Sequence, residues 1–184
     1  MAQIIVLNGV PRSGKTTIAR SITGLAPSWV NHGVDAEMAI TTPERQPGIG
    51  LRPGDDLPEI RRLLPELYGR LWARVNEFAD GGRNVVVDVG LYDAGLLEAA
   101  RRRLAAGGHA VRWVEVRCSV AEVLRRRAAT PGYVHGPIDA TDTAPVRRWH
   151  TRCTASISLR TWWSTPSDGQ APRSPGRCSG SPSP

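Results

Sequence analysis

Lysine is almost absent from this chain. Lys15 is the only lysine among 24 lysines and arginines, and the formal net charge is +7. The arginines are scattered and mostly interleaved with acidic residues, and aromatic residues make up only 5% of the sequence. A nucleic-acid-binding surface usually gathers its basic residues on one face or stripe. We therefore expect solvated basic helix faces and no specific nucleic-acid partner.

Cysteine is also scarce, and long apolar runs are missing. Cys118, Cys153 and Cys178 are not in C-x-x-C spacing, so neither a zinc site nor a disulfide framework is predicted. The first residues, "MAQIIVLNG", run directly into a strand-like segment without a basic leader, and no apolar run reaches membrane-spanning length. These features predict a cytoplasmic protein that is neither exported nor bound to a membrane.

Strand-like and helix-like segments alternate along the chain. Short apolar runs predict strands, and apolar residues at three- and four-residue spacing predict helices. The predicted strands are residues 3–7, 28–35, 84–89 and 110–118, and the predicted helices are residues 16–26, 58–80, 94–106 and 120–129. Residues 40–57 carry Pro and Gly without periodicity and predict a loop. The alternation favours an α/β fold with a mostly parallel sheet.

The last segment breaks this pattern. Residues 150–184 are rich in Ser, Pro, Thr, Gly and Arg, contain one acid (Asp168), and have no amphipathic period. Such a composition cannot bury enough apolar surface to offset the entropy of ordering the chain. We therefore predict one domain over residues 1–149, followed by a disordered tail.

The stretch "GVPRSGKT", residues 9–16, fits the phosphate-binding pattern G-x-x-x-x-G-K-[ST] between a strand and a helix. Glycines let backbone N–H groups turn toward a phosphate, and the helix adds its positive N-terminal end. The alternative, a glycine-rich turn that binds nothing, is disfavoured because strand, glycines, Lys and Thr are all in register. The predicted nucleotide-binding residues are Gly9, Ser13, Gly14, Lys15, Thr16 and Thr17.

The lone lysine has a physical explanation within this loop. A compact ammonium on a flexible stem can follow a transferring phosphate, whereas the planar fork of arginine is bulkier and favours bidentate partners. We predict that Lys15 is catalytic and that the Thr16 hydroxyl binds Mg²⁺.

Two acids end predicted strands at the edge of the sheet where a phosphate loop would lie. Asp88 follows three valines, and we predict that it binds Mg²⁺; the alternative is a turn residue. Asp35 ends "GVD", and it can deprotonate a substrate hydroxyl; the alternative is a helix N-cap. Glu37 is a weaker candidate for the same role.

The arginines at 125–127 precede the segment "TPGYVHGPIDATDT", where a lid is expected. An arginine there can neutralise the γ-phosphate. The alternative is a solvated basic helix face. Nothing in the sequence separates the three arginines, and we assign the catalytic role to Arg126.

Several of these stretches together resemble the chloramphenicol phosphotransferase family of small P-loop kinases, over residues 3–149. The shared segments are "IIVLNG", "SGKTTIAR", "GVD", "LYGRLWARVNEFADGGRNVVVDV" and "VRWVEVRC". The resemblance implies a three-layer α/β/α kinase that uses ATP and Mg²⁺ to phosphorylate a hydroxyl of chloramphenicol or a similar small molecule, which inactivates the antibiotic. It also implies that Asp35 is the base. The alternatives are a related kinase of another metabolite or nucleotide sugar, as in zeta toxins, and an inactive nucleotide-binding remnant.

The chain departs from this family in two places. "AATPGY" (128–133) stands where the family has a second arginine cluster, and the tail lacks the family's last strand and helix. We back-translated residues 149–165 with GC-rich codons and shifted the reading frame by one nucleotide. The shifted frame can encode "AHAVHGEHLAADVVVDT", which restores the family's "VH" and "VDT". We therefore hypothesise a frameshift near Trp149. Loss of the last strand predicts an exposed edge on the strand at 110–118, an incomplete adenine site and reduced stability.

Overall fold

The structure, a computed structural model, describes residues 1–42 and 58–129 and seven positions beyond them. Those seven are Thr143, Ala144, Arg147, His150, Thr151, Trp163 and Ser164. The elements in chain order are β1 (Gln3–Asn8), α1 (Lys15–Leu25), β2 (Trp29–Asn31), α2 (Val34–Ala39), α3 (Pro58–Asp80), β3 (Asn84–Val89), α4 (Ala94–Ala106), β4 (Ala110–Glu115), α5 (Val120–Ala129) and β5 (Trp163–Ser164). Residues 43–57 of the loop predicted at 40–57 lie outside the described residues, as do residues 130–142 of the segment where a lid is expected.

The sheet has the strand order β2-β3-β1-β4-β5, and its first four strands are parallel. β1 is central: its last residue, Asn8, is in register with Val89 of β3 and Glu115 of β4. The carboxyl ends of these three strands therefore lie at one edge of the sheet, which is where ligands bind in open α/β folds. The predicted α/β fold with a mostly parallel sheet is confirmed.

The two faces of the sheet are buried by different helices. In β3, the side chains of Val85, Val87 and Val89 pack in the core with α3 and α4, whereas Val86 packs with Ala19 of α1 on the other face. This alternation follows from the two-residue period of a strand. Helices cover both faces of β3, and this explains why its valines are consecutive instead of alternating with polar residues.

Helix α3 occupies the residues that the apolar spacing predicts. Leu64, Leu67, Leu71 and Val75 recur on one stripe and are buried in the core. The helix ends where Gly82 adopts a φ of 78°, a left-handed conformation that glycine reaches without steric cost. None of the helices in the described ranges is long and apolar enough to cross a membrane.

The predicted strand at 28–35 is wrong in its second half. β2 ends at Asn31, and Asp35 lies in the first turn of α2. His32 makes the last hydrogen bond to the sheet, from its N–H to the Val86 carbonyl at 3.0 Å, and the Glu37 N–H then bonds to Gly33 O. Acids in the first turn favour a helix start through the helix dipole. The acidic pair Asp35 and Glu37 therefore supports α2 instead of ending a strand.

Gly33 packs directly against β3. A Cβ at this position would lie 2.4 Å from the Asp88 carbonyl oxygen, closer than real Cβ atoms approach a backbone. Gly33→Ala is therefore expected to push α2 away from β3 and to lower the free energy of unfolding by about 1–3 kcal/mol. Urea unfolding measures this change. The matched variant is Gly24→Ala, where nothing lies within 4 Å; it should be neutral or slightly stabilising, and equal effects at both sites would contradict the prediction.

The predicted tail falls mostly outside the described residues, so its proposed origin in a frameshift stays a prediction. Two observations concern its described part. His150 and Thr151 are helical, and β5 pairs antiparallel with β4, with Ser164 opposite Val111 and Trp163 opposite Arg112. At these two positions the edge of β4 is paired, whereas the sequence predicts it exposed.

Candidate functional site

The loop from Gly9 to Thr16 connects β1 to α1 and is tightly packed. A Cβ at Gly9 would lie 2.4 Å from the Val116 carbonyl oxygen, and Gly14 has a φ of 107° where α1 begins. The first turn of α1, which the structure describes in full, carries no acidic residue. The helix itself therefore supplies no acid that would neutralise the positive end of its dipole at the loop. This backbone suits an anion.

Lys15 is buried within the loop, with 8% of its surface exposed. Its ammonium donates a hydrogen bond to the Val10 carbonyl at 3.0 Å and lies 3.7 Å from Asp88 Oδ1. A buried ammonium needs such partners because desolvation penalises an isolated charge. Lys15 is therefore held at the carboxyl edge of the sheet, between the loop and β3.

Ser13 gives a test of whether a nucleotide phosphate fits. Its side chain is buried, and the Oγ atom has no hydrogen-bond partner among the described residues. A buried hydroxyl without a partner is destabilising by about 1–3 kcal/mol. A phosphate oxygen in the loop would accept this hydrogen bond, so the residues present fit a nucleotide. Thr16 and Thr17 are exposed at the first turn of α1.

Asp88 is the next-to-last residue of β3, opposite Leu7 of β1. Thr16 donates a hydrogen bond from its hydroxyl to Asp88 Oδ2 at 2.5 Å. A hydroxyl and a carboxylate are hard oxygen donors of the kind that Mg²⁺ binds together with substrate phosphates. The structure thus brings together three predicted residues, and the Thr16–Asp88 pair fits a magnesium ion.

Asp35 and Glu37 have different environments although both are in α2. Asp35 is exposed, two residues after the glycine that contacts Asp88. Glu37 is 1% exposed, and its carboxylate lies 3.1 Å from His32, 3.5 Å from Arg70 and 3.3 Å from Arg74. These contacts anchor α2 to α3. They also leave Glu37 closed to a substrate, so of the two acids only Asp35 faces solvent.

Arg126, from the arginine triplet at 125–127, contacts the phosphate loop. Its Nη1 donates to the Arg12 carbonyl at 2.9 Å and would lie 3.6 Å from a Cβ at Gly14. Its Nε donates to Glu122 Oε1 at 2.6 Å. Arg125 also donates two hydrogen bonds to Glu122, and its side chain is 69% exposed.

The Glu122 carboxylate is the acid that both arginines share. Hydrogen bonds from Arg125 and Arg126 hold its pKa at about 2, below the ordinary value for glutamate. It is therefore ionised at neutral pH and orients Arg126. The sequence alone does not separate the three arginines, and sequence reasoning missed Arg12, whose φ of 66° places it in a left-handed conformation within the loop.

Comparisons with known proteins give a family match and similar solved structures. The family model described as chloramphenicol phosphotransferase-like protein matches residues 2–168. No curated protein sequence matches the chain. The chain is similar to a solved structure of the Pnkp1/Rnl/Hen1 RNA repair complex, with a TM-score of 0.66 and 14% identity over 90% of this chain and 49% of the other. It therefore spans about half the length of that protein.

Two further solved structures are similar to the chain over most of both lengths. A sugar kinase from Janibacter sp. HTCC2649 has a TM-score of 0.58 and 17% identity, covering 86% of this chain and 80% of the other. A putative kinase from Chloroflexus aurantiacus J-10-fl has a TM-score of 0.56 and 17% identity, covering 85% and 78%. At such identities the likeness establishes the fold, which is that of the P-loop kinases.

Proposed function

Because the chain belongs to the chloramphenicol phosphotransferase-like family, we propose that it is an ATP-dependent phosphotransferase that acts on a hydroxyl of chloramphenicol or a similar small molecule. Phosphorylation would inactivate the antibiotic. The observation that carries the proposal is the cluster of Lys15, Thr16 and Asp88 at the carboxyl edge of the sheet, with contacts of 2.5 Å and 3.7 Å to the Asp88 carboxylate.

The loop residues would hold the nucleotide. The N–H groups at the start of α1 and the Ser13 hydroxyl would donate to the phosphates, and the Lys15 ammonium would add positive charge. Thr16 and Asp88 would hold Mg²⁺ together with the phosphate oxygens. When bound, Mg·ATP supplies the phosphoryl group and its metal neutralises part of the phosphate charge. Lys15 is buried, so its attraction to phosphate is weakly screened by water.

Asp35 would activate the acceptor. It is exposed in the first turn of α2, which begins against β3 at Asp88. A carboxylate there accepts the proton of the acceptor hydroxyl as the oxygen–phosphorus bond forms and ADP leaves. The two acids would thus have separate tasks: Asp88, at the end of β3, is in contact with Thr16 and Lys15, whereas Asp35 is exposed in α2.

Arg126 would stabilise charge on the transferring phosphate. Its guanidinium contacts the loop at Arg12 and lies next to Gly14. A preorganised cation at this place acts where negative charge shifts during the reaction. Its contact with Glu122 fixes its direction.

The test is a direct assay of phosphoryl transfer. The protein is incubated with Mg·ATP and a panel that contains chloramphenicol, simple sugars and a nucleotide sugar, and products are identified by the mass of an added phosphate. We expect a phosphorylated chloramphenicol. Transfer only to another acceptor would contradict the substrate but not the phosphotransferase. ATP binding without transfer to any acceptor would leave a nucleotide-binding protein.

A further inference from the structure

Two arginines far apart in the sequence bind each other's backbone at the phosphate loop. Arg12 donates from Nη1 to the Arg126 carbonyl at 2.6 Å, and Arg126 donates from Nη1 to the Arg12 carbonyl at 2.9 Å. Hydrogen bonds from charged donors are stronger than neutral ones. We call this reciprocal pair the Arg12–Arg126 clasp. It joins the loop to the last turn of α5.

The backbone of Arg12 makes the choice of residue informative. Its φ of 66° lies in the left-handed region, and in the described ranges no other residue except glycine has a positive φ. This conformation is unfavourable for an arginine and freely accessible to glycine. If this position were only a turn, glycine would fit its backbone better than arginine. The long arginine side chain, however, reaches α5 and makes a hydrogen bond there that glycine cannot make.

The clasp also concentrates positive charge where phosphates would lie. Arg12 and Arg126 are both partly buried. Gly14 immediately precedes α1, and a Cβ at this position would lie 3.6 Å from Arg126 Nη1. Arg126 has a fixed orientation because Glu122 holds its Nε while the Arg12 carbonyl holds Nη1. A guanidinium held at two points loses less freedom when it binds an anion.

We propose that Arg12 is a positioning residue that keeps Arg126 over the phosphate loop, so that the site binds a nucleoside triphosphate in preference to a diphosphate. The inference rests on the proposed function, in which the loop binds ATP. Arg12 acts through the backbone of Arg126, and Arg126 contacts the terminal phosphate. Without Arg12, the last turn of α5 loses the hydrogen bond that the Arg12 side chain donates to the Arg126 carbonyl.

The test compares the affinities for Mg·ATP and Mg·ADP by titration calorimetry. Arg12→Gly suits the local φ, so the relief of backbone strain offsets part of the stability that is lost with the Arg12 hydrogen bond to α5. We expect its ATP affinity to fall about tenfold with ADP affinity nearly unchanged, which corresponds to the loss of roughly one charge-assisted hydrogen bond. Arg126→Gln should give the same pattern. The double variant should be no worse than Arg126→Gln alone, because Arg12 acts through Arg126.

The matched control is Arg102→Gln, which removes a cation that pairs with Glu98 on α4 and is 68% exposed; it should leave the ATP to ADP ratio unchanged. If Arg12→Gly kept the ATP to ADP affinity ratio of the parent, this inference would be overturned and the proposed function would stand. The same holds if the losses of ATP affinity in the two single variants added up in the double variant. A parent that binds both nucleotides equally would also overturn this inference. A parent that binds neither would overturn the proposed function and this inference together.

Discussion

Lys15→Ala is expected to abolish measurable ATP binding and, with it, phosphoryl transfer. The ammonium is the buried cation of the loop, and it lies between the Val10 carbonyl and the Asp88 carboxylate. Without it, the carboxylate and the nucleotide phosphates repel each other across a partly desolvated site. Loss of one such electrostatic group typically lowers a rate by a factor of about 10²–10³. Titration calorimetry with Mg·ATP measures the binding, and product formation measures the transfer.

Lys15→Arg tests why the only lysine stands here. The new side chain keeps the charge, but its planar fork is larger than the ammonium in a position that is 8% exposed. We expect a loss nearly as large as that of Lys15→Ala. Arg20→Ala is the matched control, since it removes an exposed cation from the same helix. Full ATP affinity in Lys15→Arg would show that the geometry of lysine is not required.

The phosphate loop was predictable because its determinants are local. Strand, glycines, Lys15 and Thr16 follow one another within a few residues, and the fold places them as the spacing indicates. The end of β2 was not predictable in this way. It depends on Gly33 meeting the backbone of Asp88, and this contact lies between segments far apart in the sequence. The apolar pattern of residues 28–35 alone carries no sign of it.

The sequence also does not show which side chains of a helix face a neighbouring element, because this depends on how the helix is oriented about its own axis. The triplet at 125–127 gives three arginines equal standing, and only the packing of α5 on the loop selects Arg126. In the same way, Glu37 is buried because Arg70 and Arg74, one turn apart on α3, both reach its carboxylate. Their i, i+4 spacing is visible in the sequence, but the partner helix is not.

The proposed base, Asp35, and the proposed metal ligand, Asp88, have different surroundings. Asp88 accepts a hydrogen bond from the Thr16 hydroxyl, and its carboxylate lies 3.7 Å from the Lys15 ammonium. Asp35 is exposed on α2, whose place is fixed from both sides by Gly33 against β3 and by Glu37 against α3. A fixed but accessible carboxylate can receive a proton from an incoming acceptor.

Asp35→Asn is therefore expected to lower the turnover of phosphoryl transfer by a factor of about 10²–10⁴, the range for loss of a general base. The amide keeps the shape of the side chain but cannot take a proton at neutral pH. ATP affinity should remain at the parent level, because Asp35 lies in α2 and not in the loop. Single-turnover transfer and calorimetric titration separate the two quantities.

The split between turnover and ATP affinity is what distinguishes the base from a residue that only supports the fold. Glu98→Gln is the matched control, because it also neutralises an acid, one that pairs with Arg102 on the exposed face of α4; it should change neither quantity. A parallel loss of ATP affinity in Asp35→Asn would mean that α2 had moved and disturbed Asp88 through Gly33. Transfer at the full parental rate would remove Asp35 from the reaction, and the acceptor hydroxyl would then have to lose its proton elsewhere.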